Sequence, residues 1–196
     1  MYVAYGPSAR RETTYGLDAL RRWYDGPVTV VSDEPLPGAR YVTSARIDKG
    51  ARWQKLNLDT LSPYVYTLYL DADTRVQGDI RPAFGLLADG WDVVITASEN
   101  QQGHWLWHVG EADREATRAA IGFDGLQLQA GVLGVAWNAR TRALWQAWRE
   151  EWQRFQNQDQ GAFLRALYRN PVRLWLLGRD WNGGALIAHR FGMARG

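Results

Sequence analysis

Asp71 and Asp73 stand one residue apart at the end of the run Tyr64-Val65-Tyr66-Thr67-Leu68-Tyr69-Leu70. The run is apolar, aromatic and β-branched, which reads as a buried strand. Side chains two apart on an extended chain share a face, with Cα atoms about 6.5–7 Å apart. In an open α/β sheet, ligands bind beyond the carboxyl ends of the strands. Two carboxylates placed there can hold a hard divalent cation, and the cation can hold a diphosphate. An isolated Asp-x-Asp is most often a solvated turn. The buried strand before this pair, and the matching pieces downstream, favour a site.

The elements that must position the pair follow from the pattern on either side. Met1 to Tyr5 reads as a short first strand, and Thr13 or Thr14 as the cap of a helix carrying Leu17, Leu20, Trp23 and Tyr24. Val28 to Val31 reads as a second buried strand ending at Ser32-Asp33-Glu34. A loop follows from Pro35 to Lys49, with a short strand at Arg40 to Thr43; a helix runs from Trp53 to Leu61, closed by Pro63. This β-α-β-(β)-α-β order is the mark of a parallel sheet with nucleotide-binding potential. Beyond the acids, the pattern predicts a helix over Pro82 to Leu87, a strand over Trp91 to Thr96 and a helix over Glu111 to Ile121. Gln129 to Asn138 reads as a strand whose glycines permit close backbone approach. A long helix carrying Leu144, Trp148, Trp152 and Phe155 comes next, and a second helix opens at Asp159-Gln160. Pro171 to Leu177 reads as a strand and Trp181 to Gly184 as a turn. Ala185 to Ala188 leads, as a last apolar strand, to His189, which alone of three histidines ends such a strand.

The chain has 196 residues, 46% hydrophobic and 22% charged, which is globular rather than disordered and enough for one domain over residues 1–196. A net charge of +2 gives no argument for nucleic acid as a partner. The absence of cysteine excludes disulfides and thiolate chemistry. Residues 1–20 carry no apolar signal region, and no run approaches the roughly 18–20 apolar residues that span a bilayer. A cytoplasmic protein without a transmembrane segment is the expectation. Most of the eleven tryptophans are expected in core and cleft walls.

Four pieces, in order, resemble the retaining GT-A glycosyltransferases of the glycogenin and bacterial lipopolysaccharide galactosyltransferase type. They are Lys55-Leu56 followed by Leu68-Tyr69-Leu70-Asp71-Ala72-Asp73-Thr74; Gln129-Ala130-Gly131-Val132-Leu133; Asp159-Gln160 opening a helix; and Ile187-Ala188-His189-Arg190-Phe191-Gly192. The resemblance implies a GT-A, Rossmann-like α/β fold with a mostly parallel central sheet flanked by helices. It implies transfer of a sugar from a nucleoside-diphosphate sugar, expected to be a UDP-sugar, with retention. Metal ligation falls on Asp73 and His189, with Asp71 shared between metal and ribose. Two carboxylates and an imidazole suit Mn²⁺, or Mg²⁺, which would act as Lewis acid for the departing diphosphate. Lys55 falls at the family's donor site, in a chain with two lysines and twenty-one arginines; a compact point charge is expected there. Asp159 matches the acid near the anomeric carbon, and Gln160 its neighbour. Ala72, Gln129, Gly131 and Gly192 fall on donor-binding positions. Tyr5, Gly6 and Asp33, at the tips of the first two strands, fall where base and ribose should sit.

Two departures bear on the donor. Gln129-Ala130 stands where the family writes Asn-Ser, so sugar preference is expected to differ. The ending at Gly196 stops short of the family's Lys-Pro-Trp segment, so a basic clamp on the diphosphate is expected either to be missing or to come from Arg190 or Arg195. The acceptor is open among a glycan, a lipid-linked sugar, a protein and a modified DNA base. Arg165, Arg169 and Arg173 share a spacing that could meet phosphates, though such spacing is usually a solvated face. The loop with His104, Trp105, Trp107 and His108 is a candidate acceptor wall or lid. Two other classes compete. Asp71 to Thr74 also satisfies the Asp-x-Asp-x-Thr signature of haloacid dehalogenase-type phosphatases, although no lysine follows Lys55. A non-catalytic sugar- or nucleotide-binding module could use the tryptophans for stacking.

Overall fold

The computed structural model describes residues 1–43, 50–98 and 104–192. Lys49, Arg195 and parts of two expected loops, 44–49 and 99–103, lie outside the described residues.

β1 (Tyr2–Ala4), β2 (Thr29–Ser32) and β3 (Arg40–Thr43) pair in parallel in that order. β1 and β2 are buried at every residue, as parallel strands covered on both faces are. A second sheet has the order β4 (Tyr66–Leu70), β7 (Leu128–Ala136), β6 (Val93–Ala97) and β8 (Leu174–Leu177). The Met1 amine donates to the Leu68 carbonyl at 2.5 Å, and the Leu70 N–H to the Met1 carbonyl at 2.9 Å. That alternation belongs to parallel strands, so β4 lies beside β1 and the sheets run on as β3-β2-β1-β4-β7-β6-β8. β7 pairs antiparallel with both neighbours, and β8 is parallel to β6. Among these seven strands only β7 runs against the rest, so the central sheet is mostly parallel. The chain leaves β1 toward β2 and β3 on one side and returns to β4 on the other. The crevice beyond the carboxyl ends of β1 and β4 is therefore the topological switch point.

Alternate residues of β1 face opposite layers. Met1 and Val3 join a core that includes Leu56, Leu58, Trp145, Trp148 and Phe163. Tyr2 and Ala4 join a second core with Ala9, Leu17, Leu20, Ala83 and Leu87. In the first core, rings chain from Trp137 to Trp145, Trp148 and Phe163 with centroid separations of 4.9, 5.4 and 4.6 Å. The tryptophan stripe of α6 (Ala139–Gln153) is thus packing, as its spacing predicts. Asn138 caps that helix, accepting from the N–H groups of Arg140 and Thr141.

Three boundaries differ from the sequence reading. α1 spans Gly6–Leu20 and starts directly after β1, with Pro7 in its first turn. Proline's fixed φ suits a first turn, so Thr13 and Thr14 lie inside the helix and Trp23 and Tyr24 beyond it. The helix expected over 53–61 is two, α2 (Gly50–Lys55) and α3 (Leu58–Leu61). Between them the Asn57 amide donates to the Trp53 carbonyl at 2.7 Å, an alternative to the helical ladder. Finally, β5 (Thr74–Val76) pairs antiparallel with β9 (Ile187–His189), Thr74 opposite His189. The sequence pattern shows β9 and gives no sign of its partner. The remaining helices are α4 (Arg81–Ala88), α5 (Glu111–Ile121) and α7 (Gln160–Arg169).

Arg165 lies in the interior, where α5, α6 and α7 meet. It is fully buried and ion-paired with Asp113 and, at 2.7 Å, with Glu151. Arg169 pairs with the same Glu151, and Arg173 lies over the Trp91 ring. The phosphate-facing row considered for these arginines does not form: Arg165 has no exposed surface to offer.

Candidate active site

Asp71 follows the last residue of β4. The chain then turns, with the Thr74 N–H (3.1 Å) and hydroxyl (2.8 Å) both donating to the Asp71 carbonyl. The two acids therefore converge through a turn, not along an extended strand as the spacing alone suggests. The β5–β9 ladder brings His189 to them. Its Nε2 lies 3.1 Å from Asp73 Oδ1 and 3.8 Å from Asp71 Oδ2, and ligand atoms of all three residues fall within 4.8 Å of one another.

The surrounding bonds assign the proton on His189. The Thr96 hydroxyl donates to the Gln129 carbonyl (3.2 Å), so it accepts from the Asn182 amide (3.0 Å). Asn182 then presents its carbonyl oxygen to His189 Nδ1 at 2.7 Å, and Nδ1 carries the hydrogen. Nε2 faces the two carboxylates, 3.1 Å from Asp73 Oδ1, where it donates when protonated and offers a lone pair when not. With Nε2 deprotonated, the donor set of one nitrogen and two oxygens fits a divalent cation. Burial works against the Asp73 carboxylate, but His189 and the Gly192 N–H (2.9 Å) outweigh it and hold the group below the ordinary range. Asp71 accepts from the Tyr69 hydroxyl at 2.6 Å.

Gly131 explains how β7 fits under this cluster. A Cβ there would stand 2.5 Å from His189 Cε1 and 3.0 Å from Asp71 Oδ2. The Gly131 carbonyl also accepts the Asp71 N–H at 2.8 Å. A strand without a side chain at this point is what lets the three groups meet.

Asp159 occupies the N-cap position of α7, yet its side chain makes no capping bond. It turns instead to Lys55, whose Nζ lies 3.0 Å from Asp159 Oδ2 and 3.9 Å from Asp71 Oδ1. Both residues are buried. Burial raises the Asp159 carboxyl, but the charges of Lys55 and then Arg52 prevail and keep it low. Gln160, next along α7, is hydrogen-bonded to His108 Nε2. Burial, the largest influence on that imidazole, pushes its pKa down.

Most of these groups open on one cleft of about 670 Å³. Tyr5, Lys55, Asp71, Ala72 and Asp73 line it, as do Gln129, Asp159, Gln160, His189 and Gly192. Gly6, Asp33 and Gly131 do not. Asp33 is engaged with the Gly6 N–H (3.2 Å) and with Arg10, which keeps both residues of that expected ribose site in local contacts. Ala130 faces the core instead of the cleft. Arg190 runs to Glu12 (3.7 Å) and does not line the cleft; Arg195, the other candidate clamp, lies outside the described residues. Of the aromatic loop, Trp107 and His108 line the cleft, whereas Trp105 donates to the Gly125 carbonyl and His104 meets Arg114.

Among the cleft residues that the sequence reading missed, four stand out. Phe191 stacks on His189 at 4.0 Å, and Arg52 sits one turn before Lys55 on α2. Ser98 also lines the cleft. The fourth is Asn182, in a stretch that reads as a turn; nothing local distinguishes a turn asparagine from one that orients an imidazole.

No protein-family model and no curated protein matches the chain. Solved structures do. The fold is similar to the apo structure of a bifunctional glycosyltransferase, WbbM, with TM-score 0.65 and 13% identity over 94% of this chain and 40% of that one. It is similar to mouse xyloside xylosyltransferase 1, with TM-score 0.59 and 13% identity over 92% of this chain and 85% of that one. It is also similar to the galactosyltransferase LgtC in complex with donor and acceptor sugar analogs, with TM-score 0.57 and 16% identity over 93% and 75%. The chain thus spans well under half of the first and most of the other two. It has a GT-A-like glycosyltransferase fold. That likeness lends no support to the phosphatase reading of Asp71 to Thr74.

Proposed function

We propose that this single α/β unit is a metal-dependent glycosyltransferase that moves a sugar from a UDP-sugar to an acceptor with retention of configuration. The observation that carries this reading is the meeting of Asp71, Asp73 and Nε2 of His189 at the switch point of a GT-A-like sheet. A glycosyl transfer breaks the bond between the anomeric carbon and the diphosphate, so negative charge grows on the leaving oxygen. Mn²⁺ or Mg²⁺ held by these three side chains would supply a Lewis acid for that charge.

The chain's own groups divide the remaining work. Asp71, partly open to solvent, has an oxygen left for the ribose. Tyr5 lies at the tip of β1, where the nucleoside enters. Lys55 places a fixed positive charge between the diphosphate end and the sugar end, and orients Asp159. Asp159 stays ionised beside the anomeric carbon, where positive charge develops. Gln160 is held in place by His108 and presents its amide to the same region. Gln129, Ala72 and Gly192 shape the donor floor, and Gly131 behind it leaves room for His189 and Asp71. Trp107 and His108 form a wall toward the acceptor, which is a glycan, a lipid-linked sugar, a protein or a modified DNA base.

The test is a thermal-shift and calorimetric comparison of UDP and UDP-sugars, each with and without Mn²⁺. Binding should require the ion and should be lost in Asp73→Asn. Nucleotide binding that ignores both Mn²⁺ and Asp73→Asn would overturn the reading.

A further inference from the structure

Arg52 is a cleft cation that the chemistry described so far does not use. It lies three residues before Lys55 on α2, so both point from one helix face into the same cleft. Its guanidinium donates to the Asn157 carbonyl (3.0 Å) and to Gln158 Oε1 (2.8 Å). Both acceptors are neutral, and among the described residues no carboxylate forms an ion pair with it. Asp159, the nearby acid, is already matched by Lys55 at 3.0 Å. The bonds to 157 and 158 hold Arg52 against the residues that lead into Asp159. Its field is felt there, since it helps keep Asp159 ionised and opposes protonation of His108.

A neutral sugar filling the cleft beside Arg52 would strip water from a cation and return nothing to it, which costs free energy. A planar guanidinium held on one edge still offers donors of the fork that pairs with carboxylate or phosphate. We infer that Arg52 recognises an anionic group, a carboxylate or a phosphate, carried by the transferred sugar or by the acceptor. The inference rests on the glycosyltransferase reading. It narrows the substrates to a hexuronate donor or an acidic acceptor such as a sugar phosphate or a glucuronide.

The experiment has two arms. In the donor arm, calorimetry with Mn²⁺ compares UDP, UDP-glucose, UDP-galactose, UDP-glucuronate and UDP-galacturonate. A hexuronate should bind about tenfold or more tighter than its hexose, and the ratio should fall toward one in Arg52→Gln. In the acceptor arm, UDP release from the best donor is followed with methyl glycosides against methyl glucuronides and sugar phosphates. The same preference should appear in kcat/KM and vanish in Arg52→Gln. Arg52→Lys keeps the charge without the fork and should retain part of it. A preference in either arm supports the inference and names its source. Wild-type protein that binds UDP with Mn²⁺ but prefers no anion in either arm overturns it and leaves the transferase reading standing. Weakening of UDP itself by Arg52→Gln, by the same factor as the hexuronates, also overturns it, because Arg52 would then clamp the diphosphate. Wild-type protein that binds no UDP at all removes the transferase reading and this inference together. If Arg52→Gln does not fold, Arg52→Lys makes the comparison, and an anion preference undiminished in it overturns the assignment to Arg52.

Discussion

Lys55 Nζ lies 3.0 Å from Asp159 Oδ2, and both side chains are nearly closed to solvent. The pair ties α2 to the start of α7 and spans the cleft floor. A buried pair contributes little net stability, but removing one partner leaves an uncompensated charge. Lys55→Met should therefore cost about 3 kcal/mol by urea unfolding. The double variant Lys55→Met/Asp159→Leu should recover most of that loss, and a double variant as unstable as the single would contradict the argument.

The same pair sets a pH dependence. The folded Asp159 carboxyl titrates below its ordinary value. Its stabilisation is complete above the unfolded carboxylate pKa of about 3.9. It is lost as pH falls from there through the lowered folded value. Asp159→Asn should flatten the decline in stability as pH falls below about 4 relative to wild type, measured by chemical unfolding at each pH.

Asn182 should matter to the cation although it does not touch it. It holds the hydrogen on Nδ1 of His189 and is itself held by Thr96. Replacing such a partner typically costs 10- to 100-fold in metal affinity. Asn182→Leu should weaken Mn²⁺ binding by about that factor in calorimetry, while the far-ultraviolet spectrum stays unchanged. His189→Ala should weaken it further.

Gly131→Ala adds one methyl group at the point of closest approach. It must push against His189 Cε1 at 2.5 Å and Asp71 Oδ2 at 3.0 Å. The expected result is a loss of Mn²⁺ affinity of tenfold or more, with thermal stability changed far less than by a core cavity. Unaltered affinity would show that the ligands have slack.

Arg165 gives a control far from any substrate. Arg165→Met strands Asp113 and Glu151 in the interior, though Arg154 and Arg169 still reach Glu151. Loss of about 3–5 kcal/mol is expected, with nucleotide affinity of the remaining folded protein intact.

The sequence carried the sheet and the chemistry unevenly. Buried strands such as Val28 to Val31 are plain in composition, because parallel strands covered on both faces admit little else. Asp71, Asp73, His189, Lys55 and Asp159 could be picked out one at a time, and the fold brings them to one cleft. Their contacts could not be read: Asp159 resembles any helix cap until its side chain is seen turning to Lys55. Asp33 misled, because an acid at a strand tip looks the same whether it faces a ribose or Arg10. Arg165 misled as well, since spacing along a helix does not say which face meets the core. Asn182 and Thr96 were invisible because their role is to bond a residue distant in sequence.

The β5–β9 ladder also orders events during synthesis. Residues 71–73 leave the ribosome early, and Lys55, Gln129 and Asp159 all emerge before the strand that bears His189. A nascent chain can thus bury its tryptophans and seat Lys55 against Asp159 while the imidazole is still in the exit tunnel. Any cation affinity that depends on His189 is acquired only when β9 pairs with β5 and sets His189 opposite Thr74.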